Sequence, residues 1–549
     1  LSSTVQATTP ATTSPRGDGS LSAVWDALVN MVKRHGIFLV AVAVIALVRF
    51  PLGDVNSYWN DEILSVYRYG IANDNVVEAV RLLANGSVHP PLYQFLLYFW
   101  MVVFGESEIA TRALSGIFIT GATLFLYAFS VRYWSRTVST ISAIAFALSY
   151  IPFYYALESR SYALTIMLAT ASMYFLWIAL ERSVEGDGEW QPRAGRWLWA
   201  AWVVANLGLV FTHYYNMFFL LAQALLALTY VVARVGRRAR LRAIAFGAAL
   251  ALIPPVMFAL VWGRFFLDQF SGASGNFAVE DSVSVNPFQL LLNSIVNPVV
   301  LGGSWVAVVA VAVPVVLLVG LVASRSLRTA FGDSRRAWAL VALVVWMVLP
   351  LVLTYAVFVA SGVERFSDRY FVFSVPPVYP LLVIGVTTLV GFLLSRSGHG
   401  RAIAVCVALV LALGLSVPTG VAAALDKKAD WRGNVLRTIS LIENSNDTVR
   451  IIETQFGTGS RANYYFERYS DTIQVDVVLR PRDDRRGLVD RLQPALVGLD
   501  SGDQVVLMFN HLTTDRYPNL LEQLEIRSSN VLDFTNVGGR GIMVYVIEE

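Results

Sequence analysis

The strongest constraint on this chain is a succession of apolar runs, each near the length that crosses a bilayer. They lie near 36–52, 91–104, 110–131, 137–156, 162–181, 197–212, 214–233, 242–262, 298–323, 337–360, 370–394 and 401–421. A hydrocarbon core of about 30 Å takes roughly 20 helical residues. Lipid offers no partner for backbone N–H and C=O groups, so such runs are expected to be helices. Composition agrees: with 56% hydrophobic and 15% charged residues, the chain cannot clothe a soluble globule of this size. The single cysteine, Cys406, sits inside an apolar run. It excludes an intramolecular disulfide or a cysteine-based zinc site and reads as packing.

Basic turns set the direction of the spans, because Lys and Arg collect on the cytoplasmic side. Segment 234–242 carries Arg234, Arg237, Arg238, Arg240 and Arg242, and segment 324–336 carries Arg325, Arg328, Arg335 and Arg336. Placing both inside also puts 131–137, 182–196 and 395–401 inside. It leaves 156–161, 213–215, 263–297, 361–369 and everything after 421 outside. Lys33 and Arg34 put the N-terminus inside. A chain that starts inside and ends outside needs an odd number of spans, so one of the twelve runs does not cross. The weakest is 91–104, short and opened by Pro90-Pro91; a run of that length suits an interfacial helix.

The expected fold is therefore mainly α, a polytopic transmembrane helical bundle of about eleven spans plus an interfacial helix. Residues 1–34 form a cytoplasmic N-terminus whose Ser/Thr/Pro/Gly-rich start is expected to be disordered; it does not read as a signal peptide. Residues 35–424 form the transmembrane catalytic domain, with 53–109 as its first outer loop. Residues 425–549 turn polar. Strand-like runs at 448–454, 473–479, 504–509 and 541–547 alternate with helical stretches near 433–443, 486–498 and 518–525. That pattern predicts a small C-terminal extracytoplasmic α/β domain.

Residues able to carry chemistry fall in the outer segments. The first reads Tyr58-Trp59-Asn60-Asp61-Glu62, then Val88-His89-Pro90-Pro91-Leu92-Tyr93. An Asp-Glu pair there suits a helix N-terminus, or a general base desolvated by Tyr58 and Trp59 that accepts a hydroxyl proton. His89 suits a turn, or a donor aimed at a phosphate. The second outer turn holds Glu158-Ser159-Arg160-Ser161-Tyr162, the third Thr212-His213-Tyr214-Tyr215, and the fourth Glu364-Arg365-Phe366-Ser367-Asp368-Arg369-Tyr370. Interfacial Tyr and Arg commonly anchor helices, the more frequent case; the alternative is that Arg160, Arg365 or Arg369 clamps a lipid phosphate. The spans carry almost no ionisable residue near mid-depth, which counts against ion-coupled transport. The glycine-rich stretches 457–460 and 538–541 lack dinucleotide-fingerprint spacing and read as turns.

Trp59-Asn60-Asp61-Glu62, His89-Pro90-Pro91-Leu92-Tyr93, Glu158-x-Arg160-x-Tyr162, Thr212-His213-Tyr214 and Arg369-Tyr370 stand in this order along the chain, with Asp430-Trp431-Arg432-Gly433 after the last span. In this the chain resembles the C-superfamily membrane glycosyltransferases, in the branch of protein O-mannosyltransferases and bacterial aminoarabinose transferases. The resemblance covers residues 36–549. It implies an inverting hexosyl- or pentosyltransferase that moves a sugar from a polyprenyl phosphate (dolichyl, undecaprenyl or decaprenyl) to a hydroxyl of a glycan, lipid or protein acceptor. Asp61 matches the catalytic acid of the first loop, with Glu62 beside it, and Glu158 falls near the second acidic position. His89 sits where the aminoarabinose transferases carry a phosphate-binding lysine. The chain lacks an arginine shortly after Asp61-Glu62 and an acid directly before His89.

On this reading Asp61, Glu62 and Glu158 are catalytic, and His89, Arg160, His213, Tyr214, Arg365 and Arg369 bind the donor phosphate and substrate. No metal ligands are assigned; no cofactor is fixed by the motifs, and a divalent cation stays open. The expected partners are the lipid-linked donor, the acceptor and membrane lipid, with no nucleic acid. The expected location is the plasma (inner) membrane, multi-pass, with the C-terminal domain extracytoplasmic. Two other readings compete: a lipid-linked glycan flippase, and a receptor that binds glycan through its outer α/β domain.

Overall fold

The computed structural model describes residues 21–71, 73–86, 89–185, 188–276, 334–361, 368–425, 431–442, 449–453, 464–466, 468–469, 504–509, 528–533 and 541–547. A long helix, α1 (Leu21–Leu52), leads into the one-turn α2 (Asn60–Ile63) and a π-helical stretch over Leu64–Ile71. Then come α3 (Val76–Gly86), α4 (Leu92–Phe104), α5 (Glu108–Ser130), α6 (Arg136–Leu148), α7 (Tyr150–Ala156) and α8 (Tyr162–Ser183). A two-residue hairpin, β1 (Val184–Glu185) with β2 (Glu189–Trp190), precedes α9 (Arg196–Val210), α10 (Asn216–Arg234) and α11 (Arg237–Asn276). The bundle continues through α12 (Ser334–Ser361), a 3₁₀ turn over Asp368–Ser374, α13 (Val378–Leu393) and α14 (Gly400–Leu425). Beyond it lie α15 (Trp431–Ile442), β3 (Val449–Glu453), β4 (Gln504–Phe509), β5 (Ser528–Asp533) and β6 (Gly541–Ile547).

Among the described residues, seven helices are long and apolar enough to cross a bilayer: α1, α5, α8, α10, α11, α12 and α14. The pair α6 and α7, bent by 55°, makes an eighth if counted as one span. The expected runs at 197–212 and 370–394 contain shorter helices, α9 and α13, and the run at 298–323 lies outside the described residues. Helix α8 is the central post. Of its apolar stretch 78% is buried inside the protein, against 17% for α1 and 11% for α11, whose apolar faces stay uncovered. In lipid, association depends on close packing and interhelical hydrogen bonds. Both are present: Trp202 Nε1 donates to Gln223 Oε1 at 2.6 Å, and Gln223 Nε2 donates to Ser172 Oγ at 3.1 Å. That joins α8, α9 and α10 through fully buried amides.

Local chemistry explains the breaks. Ser107 and Ser135 accept amide protons from Ala110 and Val138 and so start α5 and α6. The bend between α6 and α7 falls on Ser149, whose backbone is extended (φ −78°, ψ 163°) and whose hydroxyl donates to the Phe146 carbonyl at 2.8 Å. Helix α14 crosses this bend at Gly420, where a Cβ would lie 2.0 Å from the Leu148 carbonyl oxygen; only glycine permits so close an approach. Helix α4 ends at Gly105 (φ +81°), whose amide donates to the Met101 carbonyl at 2.8 Å.

Two sequence expectations change. The stretch 263–276, expected as the start of an outer loop over 263–297, continues α11 to Asn276. Arg264 pairs with Asp268 one turn on at 3.9 Å, which favours helix over loop; Gly272 and Gly275 fall within it, and 277–297 lies outside the described residues. In the C-terminal part the expected strands at 448–454, 504–509 and 541–547 form, but they share a sheet with β5, which was not foreseen. The order is β3-β4-β6-β5, with β3 parallel to β4 and the other pairs antiparallel. The β5 sequence, Ser-Ser-Asn-Val-Leu-Asp, has no apolar alternation to announce it.

Candidate active site

The Asp61-Glu62 turn is built on an arginine that its own segment does not contain. Helix α2 starts where the Trp59 carbonyl accepts the amides of Glu62 and Ile63, both at 3.0 Å. Glu62 then points inward and is 0% exposed. Arg112, from the first turns of α5, meets it with two bonds, Nε to Oε1 at 2.9 Å and Nη2 to Oε2 at 2.7 Å. The remaining guanidinium donors go to the carbonyls of Gly53, Asn56 and Ser57 at 2.8, 2.6 and 3.1 Å. The Tyr58 ring packs 5.2 Å from the guanidinium carbon. Every Arg112 donor is thereby used on the first loop, which satisfies the requirement for a buried charge.

The second outer turn is tied to the same point. The Ser159 amide donates to Glu62 Oε1 at 2.8 Å. Glu158, itself buried, accepts the Trp59 indole N–H on Oε1 at 2.9 Å. Glu62 and Glu158 therefore both face inward and grip the turn that carries Asp61.

Asp61 faces the other way, toward a cluster drawn from four turns that the sequence places outside. Its Oδ2 lies 3.4 Å from Arg369 Nη1 and 3.7 Å from Arg160 Nη2. Arg160 Nη1 also donates to the Asp61 carbonyl at 3.1 Å and to Ser65 Oγ at 2.9 Å. Its Nη2 donates to His89 Nε2 at 3.0 Å. An imidazole nitrogen that accepts from a guanidinium carries no proton, so His89 is assigned as neutral with its hydrogen on Nδ1. The His89 and His213 rings are 5.3 Å apart, and His213 lies 5.1 Å from the Tyr370 ring. The Tyr215 amide approaches His213 Nδ1 at 3.4 Å, which leaves the His213 proton on Nε2.

The electrostatics follow from burial beside two guanidiniums. Burial, then the charges of Arg160 and Arg369, pushes His213 down to about 3. The same causes, with His213 added, hold His89 well below the ordinary histidine value. Burial by itself would lower both arginines, but it is outweighed for Arg160 by Asp61, Tyr162 and Glu158, and for Arg369 by Tyr162, Tyr370 and Asp61. Both stay charged. The cluster also holds buried polar atoms with no hydrogen-bond partner among the described residues: His213 Nε2, Arg160 Nε, Arg369 Nε and Tyr162 Oη. Three of these are N–H donors, and unsatisfied buried donors are rare unless a ligand completes them.

Of the sequence-predicted residues, Asp61, His89, Arg160, His213 and Arg369 meet in this cluster, with Glu62 and Glu158 directly behind it. Tyr214 turns away: its hydroxyl bonds to Gln269 on α11 and accepts from Trp262 Nε1 at 3.1 Å. Its neighbour Tyr215 takes the place beside Tyr370, with rings 4.7 Å apart. Arg365 lies outside the described residues. Among the described residues no group of three or more His, Cys, Asp or Glu is placed to hold a metal ion.

A family model described as dolichyl-phosphate-mannose-protein mannosyltransferase matches residues 88–262, a stretch that includes His89, Glu158, Arg160 and His213. Among solved structures, ArnT from Cupriavidus metallidurans bound to undecaprenyl phosphate aligns with a TM-score of 0.55 at 14% identity, covering 93% of this chain and 98% of that one. ArnT in the apo state aligns at 0.54 and 12% identity, covering 96% of this chain and 98% of that one. This is the fold of the C-superfamily membrane glycosyltransferases. The apo oligosaccharyltransferase of Archaeoglobus fulgidus aligns with the same C-superfamily fold at a TM-score of 0.50 and 11% identity, covering 93% of this chain and 74% of that one. No curated protein matches the sequence. With this fold and its apolar helices, the chain is a multi-pass membrane protein.

Sequence reasoning passed over one residue on which this site depends. Arg112 lies near the start of the apolar run 110–131, where an arginine reads as snorkelling to the interface. The signal that could have found it is the rule that a charge within an apolar helix needs a partner. Glu62, an acid near the opposite end of the first outer loop, was the candidate.

Proposed function

We propose that the protein is an inverting glycosyltransferase that moves a hexosyl or pentosyl group from a polyprenyl phosphate to an acceptor hydroxyl at the outer membrane face. The observation that carries this is Asp61 Oδ2 set 3.4 Å from Arg369 and 3.7 Å from Arg160, two arginines whose charges also reach His213. A carboxylate that can accept a proton stands beside a group of donors that suits a phosphate. In the reaction Asp61 takes the acceptor's hydroxyl proton as the acceptor oxygen bonds to the anomeric carbon. The bond from that carbon to the phosphate oxygen breaks, and the polyprenyl phosphate leaves with the electron pair. Arg160, Arg369 and His213 Nε2–H stabilise the charge that grows on the phosphate, where a single good donor is worth roughly 3–4 kcal/mol. One displacement inverts the anomeric carbon.

Glu62 holds the turn rather than touches substrate, because Arg112 and Ser159 occupy it, and Glu158 supports the turn through the Trp59 indole. The similarity to ArnT solved with undecaprenyl phosphate supports a lipid-phosphate donor. We also propose eleven spans, with α4 lying at the interface and the chain beyond α14 outside as an α/β domain. The packing supports this direction. The basic turns meet at the far end of the bundle, where the Gly236 amide donates to the Gly188 carbonyl at 2.9 Å and Arg335 pairs with Glu181 at 3.4 Å. Purified protein should transfer label from a polyprenyl-phosphate sugar, and Asp61→Asn should lower turnover by about 10³-fold. Undiminished turnover in that variant would remove Asp61 as the base.

A further inference from the structure

The chain beyond the last helix of the bundle returns to the first outer loop and fastens both of its ends. Arg432, in α15, donates to Asp54 Oδ1 at 2.8 Å and lies 3.5 Å from Glu108 Oε1. Arg468 pairs with Glu106 at 3.7 Å. Between these rim contacts sits Tyr465, 0% exposed. Its hydroxyl oxygen accepts the Tyr58 amide proton at 2.7 Å, and its own proton goes to Glu108 Oε1 at 2.9 Å. Tyr58 is buried as well; its hydroxyl contacts the Glu106 carbonyl at 2.8 Å and Thr111 Oγ1 at 2.6 Å. Thr111 in turn meets Ser159 Oγ at 2.8 Å. One hydroxyl from the C-terminal segment thus completes the backbone of the residue that opens Tyr58-Trp59-Asn60-Asp61.

We infer that Tyr465 is a positioning residue for Asp61, acting through Tyr58. This rests on the reading of Asp61 as the base. Nothing else described accepts the Tyr58 amide. Removing the hydroxyl leaves that buried N–H without an acceptor and deprives Glu108 of a donor, and buried polar groups move to recover such losses. The turn can move only by shifting Asp61 relative to Arg160 and Arg369. Misplacement by about 1 Å costs roughly 10²-fold in rate. Arg160 and Arg369 are not held by Tyr465, so the lipid phosphate should bind as before. The effect belongs on turnover and not on donor affinity.

Tyr465→Phe in the full-length protein, reconstituted in vesicles, tests this. Donor sites are counted by binding of labelled polyprenyl phosphate, and turnover is expressed per bound site. We expect kcat per site to fall about 10- to 100-fold while Kd for polyprenyl phosphate stays within about twofold. Glu108→Gln, which keeps an acceptor for the tyrosine hydroxyl, should lose less, and Tyr469→Phe on the exposed rim should match wild type. Unchanged kcat per site overturns the inference. So does a parallel loss of donor binding, which would mark Tyr465 as merely structural. Cysteines at Asp54 and Arg432, in a Cys406→Ser background, should be joined by a short bismaleimide; failure to cross-link overturns the docking itself. If wild-type protein transfers no sugar, the transferase reading falls and the positioning role with it, a result distinct from an active wild type beside an equally active Tyr465→Phe.

Discussion

The two ends of the helical bundle use arginine in opposite ways. At the end with the basic turns, Arg234, Arg237 and Arg238 are exposed. Arg335 is 61% exposed where it pairs with Glu181. At the other end Arg112 is 2% exposed against a fully buried Glu62, and Arg160 and Arg369 converge on Asp61. The first end has more arginines; the second has those that are desolvated and bonded. Charge in water is screened and cheap, whereas charge removed from water persists only where each donor has an acceptor. On the proposed function, the chemistry belongs where charge is buried, and the basic end serves orientation.

That contrast can be broken at either end. The largest effect is expected from Arg112→Met, which strands Glu62 and should destabilise the protein by about 3–5 kcal/mol. Thermal unfolding in detergent would show it, and the double variant Arg112→Met, Glu62→Gln should recover part of the loss. Next comes Arg369→Gln, which removes one of the proposed phosphate donors and should cost about 10²-fold in kcat in the transfer assay with no comparable loss of stability. If stability fell as far as for Arg112, the distinction between holding and reacting groups would not stand.

A smaller effect concerns pH. His213 is neutral in the folded protein, with its value pushed from 6.5 to about 3. The unfolded chain therefore binds a proton first, and stability falls as pH drops below the unfolded value toward the folded one. At pH 5 the cost is about 2 kcal/mol, and His89 adds in the same direction. Unfolding midpoints across pH 7 to about pH 5 should steepen accordingly, and His213→Asn should flatten the dependence. The smallest effect is Arg335→Gln at the basic end, where the guanidinium is 61% exposed and its pairing is worth no more than about 1 kcal/mol. A large loss there would contradict the comparison outright.

Much of this could be read along the chain. Run lengths marked the helices, and the arginine turns sorted the loops into two sets that the fold gathers at separate ends. Asp61, His89, Arg160, His213 and Arg369 were legible because polar residues between apolar runs stand out. Arg112 was not, since its partner lies 50 residues away in sequence. Tyr214 and Tyr215 could not be told apart, because the choice depends on which ring Gln269 of α11 captures. The extension of α11 was hidden behind glycines that suit a loop and are tolerated in a helix.

What the sequence by itself determined is the class of molecule and the sorting of its polar turns into two sets. Both follow from local quantities, the length of each apolar run and the charge of the turn beside it. Only the tertiary structure decided which of two adjacent carboxylates faces the arginines and which is enclosed by one. That choice depends on Arg112 from α5, Ser159 from the second turn and Tyr465 from beyond the last helix. A buried charge is satisfied by whatever the fold brings to it, and no pattern along the chain records that.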